Sequence, residues 1–211
     1  MFHQGTFNTI TGTFTVPDAS EQYGSVTVFV GIDGVTIQDV MLQTGIDIKV
    51  DEDGTSYQGK EMEAMHPRPI LPIFFFVLAW YKWLPEFSRY YSTITFTHGD
   101  TIKLTVSASS ATKGWAKIDN LSTGQKEFQR LHTTHALRGQ DAVWLVDDPS
   151  GPDSLVPFAK FGRVSFKDAV ASGPSGAHRP KGATIWDIRQ NGDILASTSI
   201  DGSDVTVVRH A

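Results

Sequence analysis

Period-two alternation between short turns constrains this chain more than any other feature. TFNTITGTFTVP (6–17), SVTVFVGID (25–33), DVMLQTGIDIKV (39–50), STITFTHGDTIKLTVSAS (92–109), GWAKIDNLSTGQKEFQRL (114–131), AVWLVDD (142–148), GRVSFKDA (162–169) and ATIWDIRQNGDILASTSIDGSDVTVVRH (183–210) place β-branched or aromatic residues at every second position. Gly, Asn, Asp and Pro punctuate them, and no stretch sustains a helical period. Gln190-Asn191-Gly192-Asp193 and Leu121-Ser122-Thr123-Gly124-Gln125 lie between such runs and read as hairpins. About a dozen short strands joined this way predict an all-β fold, a sandwich of two antiparallel sheets of jelly-roll or concanavalin-like type, in which one sheet face can hold a ligand.

Composition narrows the function. With 211 residues, 40% hydrophobic, the chain can bury a core of its own and is expected to form a single domain over 1–211. A net charge of −5 gives no basic footprint, so nucleic acid is not an expected partner. The absence of cysteine excludes disulfides, thiol catalysis and cysteine-bound zinc. The start Met1-Phe2-His3-Gln4 lacks a basic segment followed by an apolar one, so no secretion leader is expected in it. Residues 70–81 are apolar or aromatic apart from Pro72, but the run is too short to span a bilayer, and Pro67, Pro69 and Pro72 stop a helix from extending it. No membrane partner is expected.

The usual chemical constellations are missing. His132 and His135 read as solvated side chains, and neither a metal site nor a cofactor is expected. ASGPSGAHRPKG (171–182) lacks phosphate-loop spacing and reads as a mobile surface loop. No G-x-S-x-G elbow occurs. Asn120-Leu121-Ser122 fits a glycosylation acceptor at a hairpin tip.

What remains is a series of phrases: FVGIDG (29–34), VMLQTGID (40–47), WYKWLP (80–85), HGDTIKLTV (98–106), NLSTGQK (120–126), DAVWLVDDP (141–149) and LVPFAKFGRVSF (155–166). In this order, from about Gly5 to Val208, the chain resembles the fungal and bacterial glutamic peptidases, the eqolisins, whose corresponding phrases look like "WVGIDG", "ILQTG", "WYEWYP", "AEWIVED" and "VPFA". The resemblance implies a two-sheet sandwich, an extracellular location, protein or peptide substrates and a monomer. It also implies acid-pH endopeptidase chemistry by a glutamate and a glutamine. The carboxylate activates water and then protonates the leaving amine, while the amide steadies the water and the oxyanion without titrating.

Carried over residue by residue, the glutamine position is Gln43. The glutamate position falls on Val143, which can neither take a proton nor orient water, so weak or absent activity is expected. Phe29, Asp33, Tyr81, Trp83 and Leu84 fall on positions that the resemblance assigns to substrate binding; among them Leu84 stands for a tyrosine and Phe29 for a tryptophan. Lys82 replaces a glutamate. Asp141, two residues from Val143, is too far along the strand to replace the missing carboxylate. The alternative is a non-catalytic sandwich that binds a peptide or carbohydrate on the same face. Gln43 and Val143 are expected on neighbouring strands facing one concavity.

GKEMEAMHPRPILPIFFFVLA (59–79) interrupts one of these phrases, between Tyr57-Gln58 and Trp80. Gly59-Lys60 can be encoded with a GTAAG splice donor, the phenylalanines with a pyrimidine tract and Leu78-Ala79 with a TAG acceptor. Excision restores one alanine codon and the reading Y-Q-A-W-Y-K-W-L-P. Residues 59–79 are therefore expected to be a translated, unremoved intron of a fungal gene, emerging from the sandwich as a protruding loop.

Overall fold

A computed structural model describes residues 7–19, 23–51, 74–149, 156–190 and 192–210. Its strands are β1 (Thr9–Thr15), β2 (Gly24–Asp33), β3 (Met41–Asp51), β4 (Phe74–Trp83), β5 (Arg89–Tyr90), β6 (Thr101–Ser110), β7 (Lys113–Asn120), β8 (Lys126–His132), β9 (Ala142–Asp147), β10 (Arg163–Gly173), β11 (Gly176–His178), β12 (Ile188–Gln190), β13 (Asp193–Asp201) and β14 (Asp204–Arg209). They form two antiparallel sheets. The larger runs β12-β13-β14-β10-β1-β6-β7-β8, with β11 added to β10, and the smaller runs β5-β4-β3-β2-β9.

The alternation in sequence becomes the alternation of faces. In β6, Ile102, Leu104, Val106 and Ala108 are buried, while Lys103, Thr105 and Ser107 turn outward. The inward sets of both sheets meet in one core, with Ile10, Phe14, Leu104, Ile118 and Phe166 from the larger sheet and Val28, Val30, Ile32, Leu42 and Ile46 from the smaller. Each such side chain taken out of water stabilises the fold by roughly 1.5–3 kcal/mol. The Trp144 indole N–H of β9 donates to the Thr11 carbonyl of β1 at 2.8 Å, so a polar atom inside the sandwich is satisfied across the two sheets.

Both expected hairpins form. Gln190 pairs with Asp193, with Gly192 at φ 93°, and Asp119 pairs with Lys126 around the 121–125 turn, where Gly124 has φ 79°. Several expectations are corrected. The first part of 171–182 is no loop: Ala171, Ser172 and Gly173 pair with His178, Ala177 and Gly176, so Pro174-Ser175 is a tight hairpin turn. Residues 92–97 are not a strand. Glu127 Oε1 accepts from the Thr93 and Ile94 amides, and Gln125 Oε1 accepts from that of Thr95, so side chains take the place of a ladder. Asn120 is fully buried: its amide donates to Thr95 O and Asp100 Oδ2 and accepts from the Ser122 and Thr123 N–H groups, which leaves nothing to glycosylate.

The expected protruding loop over 59–79 is corrected at its end. Residues 74–79 belong to β4 and pair with β3 from Phe74↔Asp51 to Ala79↔Ile46, with Ala79 in the core. Among the described residues they pair with β3 on one side only, since β5 reaches no further than Trp80 and Tyr81. The part of the segment before residue 74 lies outside the described residues.

Candidate active site

Residues opposite one another in an antiparallel pair share a face, so the register places the site. Lys82 pairs with Gln43, Gln43 with Gly31, and Gly31 with Val143. The row Lys82–Gln43–Gly31–Val143 therefore crosses the smaller sheet on the face turned away from the core. Beside it runs Tyr90–Trp80–Gly45–Phe29–Leu145, followed by Leu78–Asp47–Thr27–Asp147.

Gln43 and Val143 thus share a face as expected, although not on neighbouring strands: β2 lies between them. Two strand spacings, about 9.5 Å, separate their backbones. Gly31 brings no side chain into the interval, and the Met41 methyl fills it: a Cβ on Gly31 would stand 2.2 Å from that methyl and 3.3 Å from Val143 Cγ2. A glutamine and a carboxylate reaching toward each other over this glycine would have room for a water and a carbonyl once the flexible Met41 side chain swings aside.

The floor of this face is apolar. Phe29, Met41 and Trp80 form a cluster separate from the main core, and Leu84, Val143 and Leu145 pack against it. The Phe29 and Trp80 rings lie 5.9 Å apart over Gly45, where a Cβ would come within 2.5 Å of Phe29 Cβ. Gln43 lies among them, 7% exposed, and no described residue hydrogen-bonds its amide.

Asp33 is fully buried and has a backbone role. Its carboxylate accepts from the N–H groups of Arg138 (2.7 Å), Gly139 (3.0 Å) and Gln140 (2.7 Å), with a longer contact to Asp141 (3.4 Å). Asp141 reciprocates: its carboxylate accepts from Val35 N, Thr36 N and Thr36 Oγ1, and its carbonyl accepts from Asp33 N. The two aspartates clasp the end of β2 to the segment that leads into β9, and so hold Val143 opposite Gly31. Asp141 is committed to this clasp and is not available as a base.

Of the residues expected to bind substrate, Phe29 and Leu84 lie on the site face. Tyr81 and Trp83 do not. Both point into the sandwich, Trp83 with its indole N–H on the His135 carbonyl at 3.1 Å and Tyr81 against Tyr91 with ring centroids 5.0 Å apart. The site-facing members of WYKWLP are Trp80, Lys82 and Leu84. Gly31, Met41 and Trp80 were not singled out in the sequence. A glycine in mid-strand is the signal that points to Gly31.

In the third row, Asp47 Oδ1 accepts from Thr27 Oγ1 (2.5 Å) and Trp80 Nε1 (2.9 Å), fixing the Trp80 ring. Burial pushes the Asp47 carboxyl above its ordinary value of 3.8, against the pull of those hydrogen bonds and of Lys49. Burial raises Asp147 as well. A carboxyl raised in the folded state binds its proton more tightly there than when unfolded. Its contribution to stability is complete below pH 3.8 and is lost as pH rises through the raised value. Asp47→Asn retains an oxygen for Thr27 and Trp80 and does not titrate. Measured by urea unfolding, its stability relative to wild type should rise between about pH 3 and pH 7, and a difference independent of pH would contradict this.

His132 and His135 are both exposed, and among the described residues no group of three or more His, Asp and Glu is placed to hold a metal.

The fold is that of known enzymes. The sequence profile of the peptidase A4 family matches residues 1–65 and 75–209. The chain belongs to this family, the eqolisins. This eqolisin is 34% identical to aspergillopepsin-2 of Aspergillus niger and 32% identical to scytalidopepsin B of Scytalidium lignicola, covering 95% of its own length and 72% of each relative. Among solved structures, it resembles scytalido-glutamic peptidase bound to a transition-state analogue inhibitor, with a TM-score of 0.79 at 30% identity over 99% of this chain and 95% of the other. It also resembles aspergilloglutamic peptidase from Aspergillus niger, with a TM-score of 0.72 at 35% identity over 90% and 100%. The family is one of glutamic endopeptidases, and the all-β, two-sheet architecture is theirs.

Proposed function

We propose that this eqolisin has the substrate face of a glutamic endopeptidase without its general base, so that it hydrolyses peptide bonds slowly or not at all. The observation that carries the reading is the row itself: Gln43 and Val143 flank Gly31 on one face, with valine where the resemblance puts the catalytic glutamate. Gln43 can still donate a hydrogen bond to an oxyanion. Among the described residues nothing beside it is free to take a proton from water, since Asp141 is bound into the clasp with Thr36 and Asp33. Loss of a general base typically removes ~10²–10⁴-fold of rate. By family the protein acts outside the cell, as a monomer, on protein or peptide substrates.

Digestion of an unfolded protein at acid pH tests the reading. Wild type should cleave no faster than Gln43→Ala, and a wild-type rate well above that variant would contradict the reading.

The segment 59–79 belongs to the same proposal as a translated intron. The family match breaks between residues 65 and 75, within it. Joining Gln58 to Trp80 through one alanine would set that alanine opposite Ile46, where Ala79 now stands, with Gln58 opposite Asp47, Tyr57 opposite Ile48 and Thr55 opposite Val50. Asp51-Glu52-Asp53-Gly54 would then close the hairpin, and the apolar and polar faces would be kept. Sequencing of the transcript should find messages lacking the segment. Its retention in most messages would sink the intron reading.

A further inference from the structure

Lys82 is the cross-strand neighbour of Gln43, and at this register their Cβ atoms are about 5 Å apart on one face. Lys82 is half-buried, and no described residue forms an ion pair with it. The Gln43 amide likewise has no described hydrogen-bond partner. Beyond Gly31, Val143 supplies no oxygen, and Met41, Leu84, Phe29, Leu145 and Trp80 around them are apolar. The nearby carboxylates are already occupied: Asp33 by the 138–141 backbone, Asp141 by Val35 and Thr36, Asp47 by Thr27 and Trp80. The face thus presents an ammonium beside an amide, and among the described residues no carboxylate next to them is free to neutralise the ammonium. Burying an ammonium without a counter-charge is costly, so whatever covers this row has to bring negative charge.

The spacing of the rows indicates the rest of the ligand. Rows on one face of a sheet repeat every second residue, about 6.6–6.8 Å, which is also the spacing of side chains on one side of an extended peptide. With the peptide running along the strands, a carboxylate on Lys82 and Gln43 leaves the chain upstream of it over the next row, where an apolar side chain can seat on Phe29, Trp80 and Leu145.

We propose that the Lys82–Gln43 row is a receptor for the carboxylate of an extended peptide, in the first place its C-terminal carboxylate, with the apolar side chain before it seated on Phe29, Trp80 and Leu145. The proposal rests on reading this face as a peptide cleft and requires no turnover. Its failure is distinguishable from failure of the peptidase reading, because it is measured as binding to the wild-type chain and that reading is measured as cleavage.

Calorimetric titration at about pH 6.5, where a terminal carboxyl is ionised, tests it with three N-acetylated apolar peptides: one with a free C-terminus, its C-terminal amide, and an amide carrying one internal glutamate. Wild type should bind the free acid ~10-fold or more tighter than the amide, the scale of a charge-assisted contact. In Lys82→Met, which keeps the apolar stem, that preference should fall to about one while β-sheet circular dichroism is unchanged. If the internal glutamate restores binding as well as the free terminus does, and Lys82→Met abolishes that too, the carboxylate receptor stands and its source is a side chain. Equal binding of acid and amide by wild type, a preference that persists in Lys82→Met, or no binding of any of the three at millimolar concentration would overturn it.

Discussion

Val143→Glu should turn this protein into an acid-pH endopeptidase, with a gain in kcat/KM of about 10²–10⁴ over wild type, the contribution expected of a positioned general base. Position 143 faces Gln43 across Gly31, so a carboxylate there would meet water in the space that the glycine leaves. Its surroundings also suit the task. Phe29, Met41, Trp80, Leu84 and Leu145 would desolvate the carboxyl and raise its pKa, which favours a group that must take a proton and give it back. The Met41 methyl, now over Gly31, has to swing aside, and methionine does so at little cost. The gain should be clearest when Leu84→Tyr and replacement of 59–79 by a single alanine accompany it, since both restore the family's reading. A variant with β-sheet circular dichroism that cleaves nothing between about pH 2 and 5, where ordinary carboxyl groups titrate, would count against the peptidase reading.

Asp33→Ala should have the largest effect on stability. The carboxylate is fully buried and accepts three close backbone N–H groups, from Arg138, Gly139 and Gln140. Truncation leaves those donors without a partner at roughly 1–3 kcal/mol each when buried. The backbone adds to the cost: Asp33 has φ 65°, which aspartate and asparagine adopt far more readily than alanine. A loss of about 4 kcal/mol or more is expected, a large share of the 5–15 kcal/mol that holds a typical domain together. Asp33→Asn, which keeps one acceptor and tolerates the dihedral, should fall between. Urea unfolding measures both, and an alanine variant within about 1 kcal/mol of wild type would show that the clasp does not hold β9 in place.

Much of this architecture can be read from the chain because a sandwich writes its faces at period two. Val26, Val28, Val30 and Ile32 announce an inner face, and the Asn-Gly and Ser-Thr-Gly turns announce where the chain reverses. The site is legible only in part, for the same reason. In WYKWLP nearly every position is apolar or aromatic, so alternation tells which residues share a face and not which face is inside. The resemblance implies a substrate role for Tyr81 and Trp83, and alternation could not correct it, although Trp83 lies in the core and Tyr81 packs against it. Strand order is equally silent: β9 lies beside β2 although more than a hundred residues separate them, and only that pairing brings Gly31 between Gln43 and Val143. The Asp33 clasp is long-range too, joining a strand end to a segment far along the chain, and a carboxylate that serves backbone amides looks in sequence like one that serves a substrate. Composition misled at Gly173-Pro174-Ser175-Gly176, where the residues that mark a loop also make the tightest of hairpin turns.

The central claim is that positions 43 and 143 form one catalytic pair whose carboxylate is missing. A double-mutant cycle in kcat/KM at acid pH, over wild type, Gln43→Ala, Val143→Glu and the double variant, tests it most directly. The account predicts that Gln43→Ala changes nothing in the wild-type background and removes the gain in the Val143→Glu background, a loss of roughly 3–4 kcal/mol of transition-state stabilisation, as expected when an oxyanion loses its donor. Equal effects of Gln43→Ala in both backgrounds, or a Val143→Glu enzyme indifferent to it, would contradict the pairing.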